Sequence, residues 1–535
     1  MWLMKRLISF VAFIFFGPIS LLAQEPSIAA IRNNYSHTLP TVPNYGIAPG
    51  SLFVIYGSNL STVTTPVLQS SAASGLPSSL NGVSVSVAVN NVVVPVRLYY
   101  AAATQIAGIL PSTVPPGTGT VTVTNNGQVS APVALRVVPS AFGILTANNL
   151  GYGSAAAYDG DNNLISGTNS ARPGQTIVLW GSGVGADLAN DDRIFPQKQN
   201  NLTNIPMQVF IGGTSAPVLY RGRSQYPGVD QVDVTVPSEV STGCYVSPVV
   251  TSGNYVSNST TLPIAPNGGT CSDPNTEYTA DRLQALRNHG NVNIGTMFIG
   301  EETNVATGAV RNVFRGKYLG YTMAEFGAST PSDGFISYGS CQILRKGTRA
   351  THLDAGPTLT VSGPGGEQGS ASPITLKDGT MGDYRGLLPG GFIPNEGGTF
   401  TFSNGSGSAN IGPFNTAPIS IPPPIVWTNI NGISTINRSH GVIVTWSGGS
   451  KGTFVVIQGA ARVTATARET VSFACAASVN SGQFKIPPSL LLGMPAGNGE
   501  LLLQNVTFPA PFSAPGLDLG SVYAEISWNI PVAYQ

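Results

Sequence analysis

Apolar and polar residues alternate along much of this chain with a period of two. Val83-Ser-Val-Ser-Val-Ala-Val89 writes the pattern for a whole segment, and Val121-Thr-Val-Thr124 repeats it. Successive strand side chains point to opposite faces, so each segment has one apolar face and one face of hydroxyls. Leu52 to Tyr56 and Ile177 to Trp180 are short apolar runs suited to buried strands. Gly, Pro and Asn interrupt these segments at intervals of about 8–12 residues, the spacing of an antiparallel sandwich. No helical period lies between the strands, so nothing supplies the crossovers a parallel sheet needs. Thr279 to Asn288 is the best helix candidate, with Thr279 able to cap it and Leu283 and Leu286 sharing a face. Further on, strand-like pieces occur at Gly334-Phe-Ile-Ser-Tyr338, Thr358–Val361, Thr399–Phe402, Val442–Trp446, Phe454–Ile457, Leu501–Leu503 and Val522–Ile526.

The first half contains a repeat. Ala48-Pro-Gly-Ser-Leu-Phe-Val-Ile-Tyr-Gly-Ser-Asn-Leu60 matches Arg172-Pro-Gly-Gln-Thr-Ile-Val-Leu-Trp-Gly-Ser-Gly-Val184. Gln105 to Pro111 matches Gln231 to Pro237 at nearly the same offset, and the units close at Pro139 and Pro266. A shared period over this length signals a duplicated domain. Gly50 and Gly174 belong to the Pro-Gly turn that enters a strand. Gly57 and Gly181 mark backbone that a side chain would strain.

The opening motif resembles that of IPT/TIG domains, an immunoglobulin-like sandwich family. The stretch 28–266 resembles more closely the tandem Ig-like repeat of large secreted acidobacterial proteins. Ala48-Pro-Gly50, Tyr56-Gly57, Gln105, Pro111, Pro139 and Gly143 carry that resemblance, as do Arg172-Pro-Gly174, Gly212-Gly213, Tyr220, Gln231, Val236-Pro237 and Gly243. These are structural marks. The resemblance implies a fold and carries over no catalytic residue.

The expected class is all-β, with two tandem immunoglobulin-like antiparallel sandwiches followed by one or two further β-rich domains. The expected segments are a signal peptide over 1–23, repeats over 25–139 and 140–266, and a linker with a short helix over 267–290. Two β-rich domains, 291–422 and 425–535, follow. A bridge between Cys341 and Cys475 would make the last two one larger unit.

Composition narrows the role. Of 535 residues only 9% are charged, with 25 Lys+Arg against 25 Asp+Glu. A nucleic-acid binder wants a basic excess, which is lacking here. Charge-driven disorder wants the reverse of a chain with 42% hydrophobic residues. Lys5 and Arg6, the apolar run Leu7 to Phe16, and Gly17-Pro18 have the layout of a secretory signal peptide cut near Ala23. A membrane anchor would need about 20 apolar residues, so no transmembrane segment is expected after cleavage. Cys244, Cys271, Cys341 and Cys475 suit an oxidising compartment and allow three pairings. Cys244–Cys271 with Cys341–Cys475 is favoured, because the first two flank one strand-turn-strand stretch. Export to the extracellular space, the outer cell surface or the periplasm follows.

Candidate chemistry is sparse. Asp159-Gly-Asp161 opens like a Ca²⁺ loop, but Leu164 and Ser170 stand where an EF-hand needs Gly and Glu, so a turn is favoured. Asp187, Asp191 and Asp192 read as solvated loop residues. His37, His289, His352 and His440 are scattered, and His352-Leu-Asp354 lacks an indicated nucleophile. Glu301-Glu302, Asp333, Asp354, Asp378 and Asp383 read as loop carboxylates. Tyr99-Tyr100, Tyr220 and Tyr226 could stack sugars. Trp180, Trp427, Trp446 and Trp528 read as core. Sequons occur at Asn201, Asn258 and Asn505. No cofactor or catalytic signature emerges. The expected role is a secreted or cell-surface structural or adhesion protein without enzymatic activity. An extracellular polysaccharide or a cell-surface protein are the partner classes. A carbohydrate-binding accessory role and a hydrolase within 276–422 are the alternatives.

Overall fold

The computed structural model describes residues 24–65, 67–69, 75–187, 191, 198, 200–276, 279–286, 290–322, 335–344, 350–377, 379–463 and 470–535. The expected signal peptide, Asp192, His289, Asp333 and Asp378 lie outside the described residues. The chain is all-β, with two tandem immunoglobulin-like sandwiches followed by a β-rich region.

In the first sandwich one sheet orders the strands Ser27–Asn33, Leu52–Ser58, Gln105–Ile109 and Arg97–Ala101. The facing sheet orders Val133–Val137, Gly117–Asn125, Val83–Val89 and Ser79–Leu80. The Val-Ser alternation works as the pattern requires: Val83, Val85, Val87 and Val89 enter the core while Ser84 and Ser86 face outward. In the second sandwich the order Gly143–Ile144, Thr176–Ser182, Asp230–Thr235, Val218–Arg223 repeats the first sheet. The duplication reaches the register, since Tyr56 pairs with Gln105 and Trp180 pairs with Gln231.

The glycines of the motif have two separate causes. Gly50 and Gly174 have φ of 74° and 79°, a region that side chains rarely adopt. At Gly57 a Cβ would sit 2.0 Å from the Ser27 carbonyl oxygen, and at Gly181 it would sit 2.3 Å from the Phe142 ring. Those two positions are closed by a neighbouring strand, not by dihedral preference.

The expected helix forms over Ala280–Leu286, and the Arg282 N–H donates to the Thr279 hydroxyl at 3.2 Å. The segment around Phe335–Tyr338, expected as a strand, is irregular. Its hydroxyls bond other elements instead: Ser337 accepts from the Tyr245 N–H at 2.8 Å and Ser340 from the Ser247 N–H at 3.1 Å. Such side-chain bonds compete with a strand ladder.

Beyond residue 290 the described residues form a mixed sheet of fifteen strands and a separate three-stranded sheet of Val426–Trp427, Val442–Ser447 and Gln483–Ile486. The centre of the larger sheet is a parallel pair, Asn291–Asn304 against Leu519–Tyr534, with Ile294 opposite Leu519 and Asn304 opposite Asn529. Here nearly the whole third region serves as the crossover. Two cores pack on the sheet, one around Phe314, Phe400 and Phe402, the other around Trp427, Trp446 and Phe473. Trp528 touches both. Disulfides join Cys244 to Cys271 and Cys341 to Cys475. The second links strands that are also paired in the sheet.

Candidate functional site

The long sheet buries one face and leaves the other as a trough. On the Asn291–Asn304 strand Met297 and Ile299 enter the core, so Thr296 and Phe298 face the trough. On Leu519–Tyr534, Val522, Ala524 and Ile526 enter the core, so Tyr523 and Glu525 face the trough. The same alternation brings Arg315 and Lys317, Asp383 and Arg385, and Gln504 to this side. They line a cavity of about 440 Å³ whose rim includes Phe335.

Three neighbouring strands contribute a stack. Phe298 and Tyr523 lie 5.3 Å apart at an interplanar angle of 11°, and the Arg315 guanidinium covers the Phe298 ring at 5.6 Å. Arg315 also forms an ion pair with Glu302. Beside the stack, the Gln504 amide donates to the Glu525 carboxylate at 2.5 Å. Burial pushes the Glu525 carboxyl up to about 7, aided by the nearby Glu302 charge and opposed by Gln504 and Arg315. Arg385 stands directly opposite Arg315 across the ladder. His352 contacts Asp383 at 3.2 Å. Neither Lys317 nor Arg385 forms an ion pair among the described residues.

Other candidates separate. Asp159 spends its carboxylate on its own turn, accepting from the Asp161 and Asn163 N–H groups at 3.0 and 2.8 Å and from the Asn163 amide at 3.1 Å. These bonds hold it below its ordinary value. Among the described residues no group of three or more His, Cys, Asp or Glu side chains could hold a metal ion. Asp354 does not partner His352; it accepts from the Gly356 N–H at 2.8 Å and the Tyr384 hydroxyl at 3.3 Å. The four tyrosines do not form one platform. Tyr220 is buried and donates to the Arg223 carbonyl at 2.6 Å, and Tyr99 donates to the Pro227 carbonyl at 2.8 Å. Trp180 is only half-buried and packs against the exposed Tyr226 at 6.4 Å. Ile177 and Leu179 point inward, so the next residue must point out. Trp427 and Trp446 are core. Of the sequon residues, Asn258 and Asn505 are buried with amides bonded to backbone, while Asn201 is exposed.

Asp187 is buried and Asp191 half-buried, and both are bonded within the protein. They belong to a joint between the two sandwiches. The Ser112 backbone N–H and hydroxyl donate to the Asp191 carboxylate at 2.7 and 2.8 Å, and buried Asp187 faces the Asn200 amide. Beneath them Arg223 and Asp230 form an ion pair with side chains only 3% and 0% exposed. Asp230 also accepts the Gly183 and Val184 N–H groups at 2.6 and 2.7 Å, and Arg223 donates to the Gly185 carbonyl at 2.7 Å. Burial works to discharge Arg223, but the Asp230 carboxylate overrides it and holds the guanidinium charged. The guanidinium occupies the space beside Gly50, where a Cβ would collide with it. Ser182 bridges the same joint, accepting from the Leu52 N–H at 2.8 Å and donating to the Gly228 carbonyl at 2.6 Å.

A second cavity, about 570 Å³, opens between the Thr38–Asn44 segment, the second sandwich and the long sheet. Among the described residues its lining is apolar or bears hydroxyls and amides, and carries no Asp, Glu, His, Lys or Arg. Of these two cavities the trough is the one that combines aromatic rings with charge among the described residues.

No family model matches the chain, and no curated protein matches it. Among solved structures it is similar to the plexin A4 extracellular region, at 11% identity and TM-score 0.18, covering 86% of this chain and 29% of that one. It is similar to surface layer protein SbsC domains 4–9, at 10% identity and TM-score 0.14, covering 96% and 66%. It is also similar to an endo-fucoidan hydrolase of glycoside hydrolase family 107, at 12% identity and TM-score 0.11, covering 74% and 45%. The chain thus spans less than two thirds of each of these proteins. Extracellular surface proteins and an enzyme both stand among the matches, and likeness at this level selects no function.

Proposed function

We propose that this chain is an exported adhesion or structural protein without enzymatic activity, whose modules are locked together to hold a binding face in fixed orientation. One observation carries the reading: the joint between the sandwiches is built from buried charge, not from a loose linker. A buried ion pair costs desolvation, and its retention fits a role in fixing one geometry. The second sandwich is tied in turn to the long sheet, where the Ile343 N–H donates to the Ser259 hydroxyl at 2.9 Å, and the following linker is tied to the Phe335–Tyr338 segment, where the Asn275 amide donates to the Ile336 carbonyl at 2.9 Å. Two disulfides fit an oxidising compartment. We further infer domain borders at 25–139 and 140–266, with the region from 291 to 535 as one unit, and assign 28–266 to the tandem Ig-like repeat of the IPT/TIG type.

The test is performed on the producing cell. Surface labelling and protease shaving are expected to reach the protein, and its deletion to reduce attachment. Unchanged attachment in the deletion strain, with no surface labelling, would overturn the reading. Carbohydrate binding is a second reading, favoured by the aromatic stack beside Gln504 and Glu525.

A further inference from the structure

We propose that the trough binds an acidic saccharide, a uronate-containing oligosaccharide, with its carboxylate taken by Lys317 and Arg385 and its sugar face set against the Phe298–Tyr523 side.

Four features converge on one face. The cavity, at about 440 Å³, has room for a few sugar rings. Phe298, held between Tyr523 and the Arg315 guanidinium, and Tyr523 itself supply an apolar wall for the C–H groups of a pyranose. Gln504 and Glu525 supply a planar amide and a carboxyl, which pair well with adjacent hydroxyls. The cations then choose among saccharides. Arg315 and Arg385 face each other directly across the ladder, an arrangement that is destabilising unless negative charge sits nearby. Glu302 answers Arg315. Asp383 is engaged with His352. Arg385 and the exposed Lys317 remain without an ion-pair partner among the described residues. A carboxylate on the ligand supplies the missing anion, and Arg recognises it bidentately. A bare phosphate would use the cations but leave the aromatic wall and Gln504 idle. The strand amides are committed to the ladder, so this face offers no cluster of N–H groups for a phosphate.

The experiment is isothermal titration of the full chain with trigalacturonate, its methyl ester, maltotriose and inorganic phosphate. Trigalacturonate is expected to bind, with affinity falling as salt rises. The methyl ester and maltotriose are expected to bind at least tenfold more weakly. The Lys317→Ala/Arg385→Ala variant is expected to lose at least tenfold for the acid while its ester binding and far-ultraviolet spectrum stay unchanged. Gln504→Ala is expected to weaken acid and ester alike. Absence of trigalacturonate binding, equal binding of acid and ester, an unaffected double variant, or phosphate that binds as tightly and displaces the sugar would each overturn the proposal. Such a failure leaves the adhesion reading standing, because that reading is tested by attachment and labelling on cells.

Discussion

The joint between the sandwiches and the trough on the long sheet both gather charge in a chain that has little. They use it in opposite ways. At the joint, Asp230 meets Arg223 and two backbone N–H groups, and Arg223 meets Asp230 and the Gly185 carbonyl. In the trough, Glu525 has an amide donor, and Lys317 and Arg385 have no carboxylate in an ion pair among the described residues. Committed charge holds a geometry, while uncommitted charge is what a ligand can complete. Burial alone does not tell them apart, since both regions contain a desolvated carboxylate. The partners do.

The contrast can be broken most severely at the joint. Arg223→Ala leaves Asp230 buried without its cation, and is expected to cost about 3–5 kcal/mol in chemical denaturation. A smaller loss is expected from Gly50→Ala, about 1–3 kcal/mol, since the new Cβ must displace the guanidinium and also adopt a positive φ. In the trough the sign reverses. Glu525 binds its proton more tightly folded than unfolded, so its contribution is full below its ordinary carboxylate range and is lost as pH rises toward about 7. Glu525→Gln removes that loss. A stability–pH profile should show the variant more stable than native at pH 8, by on the order of 1 kcal/mol after allowing for partial exposure. The smallest effect is expected from Lys317→Ala/Arg385→Ala in the unliganded protein, within about 0.5 kcal/mol of native. A loss there comparable to that at Arg223 would show that the trough cations are structural and erase the contrast.

Much of the first half was legible because its signals are local. The Pro-Gly turn, the apolar run and the closing Gly recur in one order, and period-two alternation told which valines are core. Trp180 aligns with Tyr56 in the repeat, but alternation with the inward Ile177 and Leu179 sets it on the outer face, so aromatic size alone is a poor guide to burial here. The Asp191 carboxylate and the Asp187 N–H are partnered by Ser112, which lies in the other repeat, so no local pattern announces the joint. The trough was legible only in part. Val522, Ala524 and Ile526 announce an inward face, and so an outward Tyr523 and Glu525, but nothing local says that Phe298 and Arg315 will stand beside them. That depends on a pairing between segments at the two ends of the region, and no short-range pattern encodes it.

The parallel pairing of Asn291–Asn304 with Leu519–Tyr534 also sets an order of events. Synthesis delivers the first strand early and its neighbour only after more than two hundred further residues. Until then the sheet lacks its middle, and long-range pairing of this kind is slow and leaves strand edges unpaired. The two sandwiches can close as they emerge, whereas the long sheet must wait for its last strand. A stop codon at Asp518 would therefore not trim an end: it would split the sheet between the Gly497–Thr507 and Asn291–Asn304 strands, leaving two half-sheets with open edges and no trough.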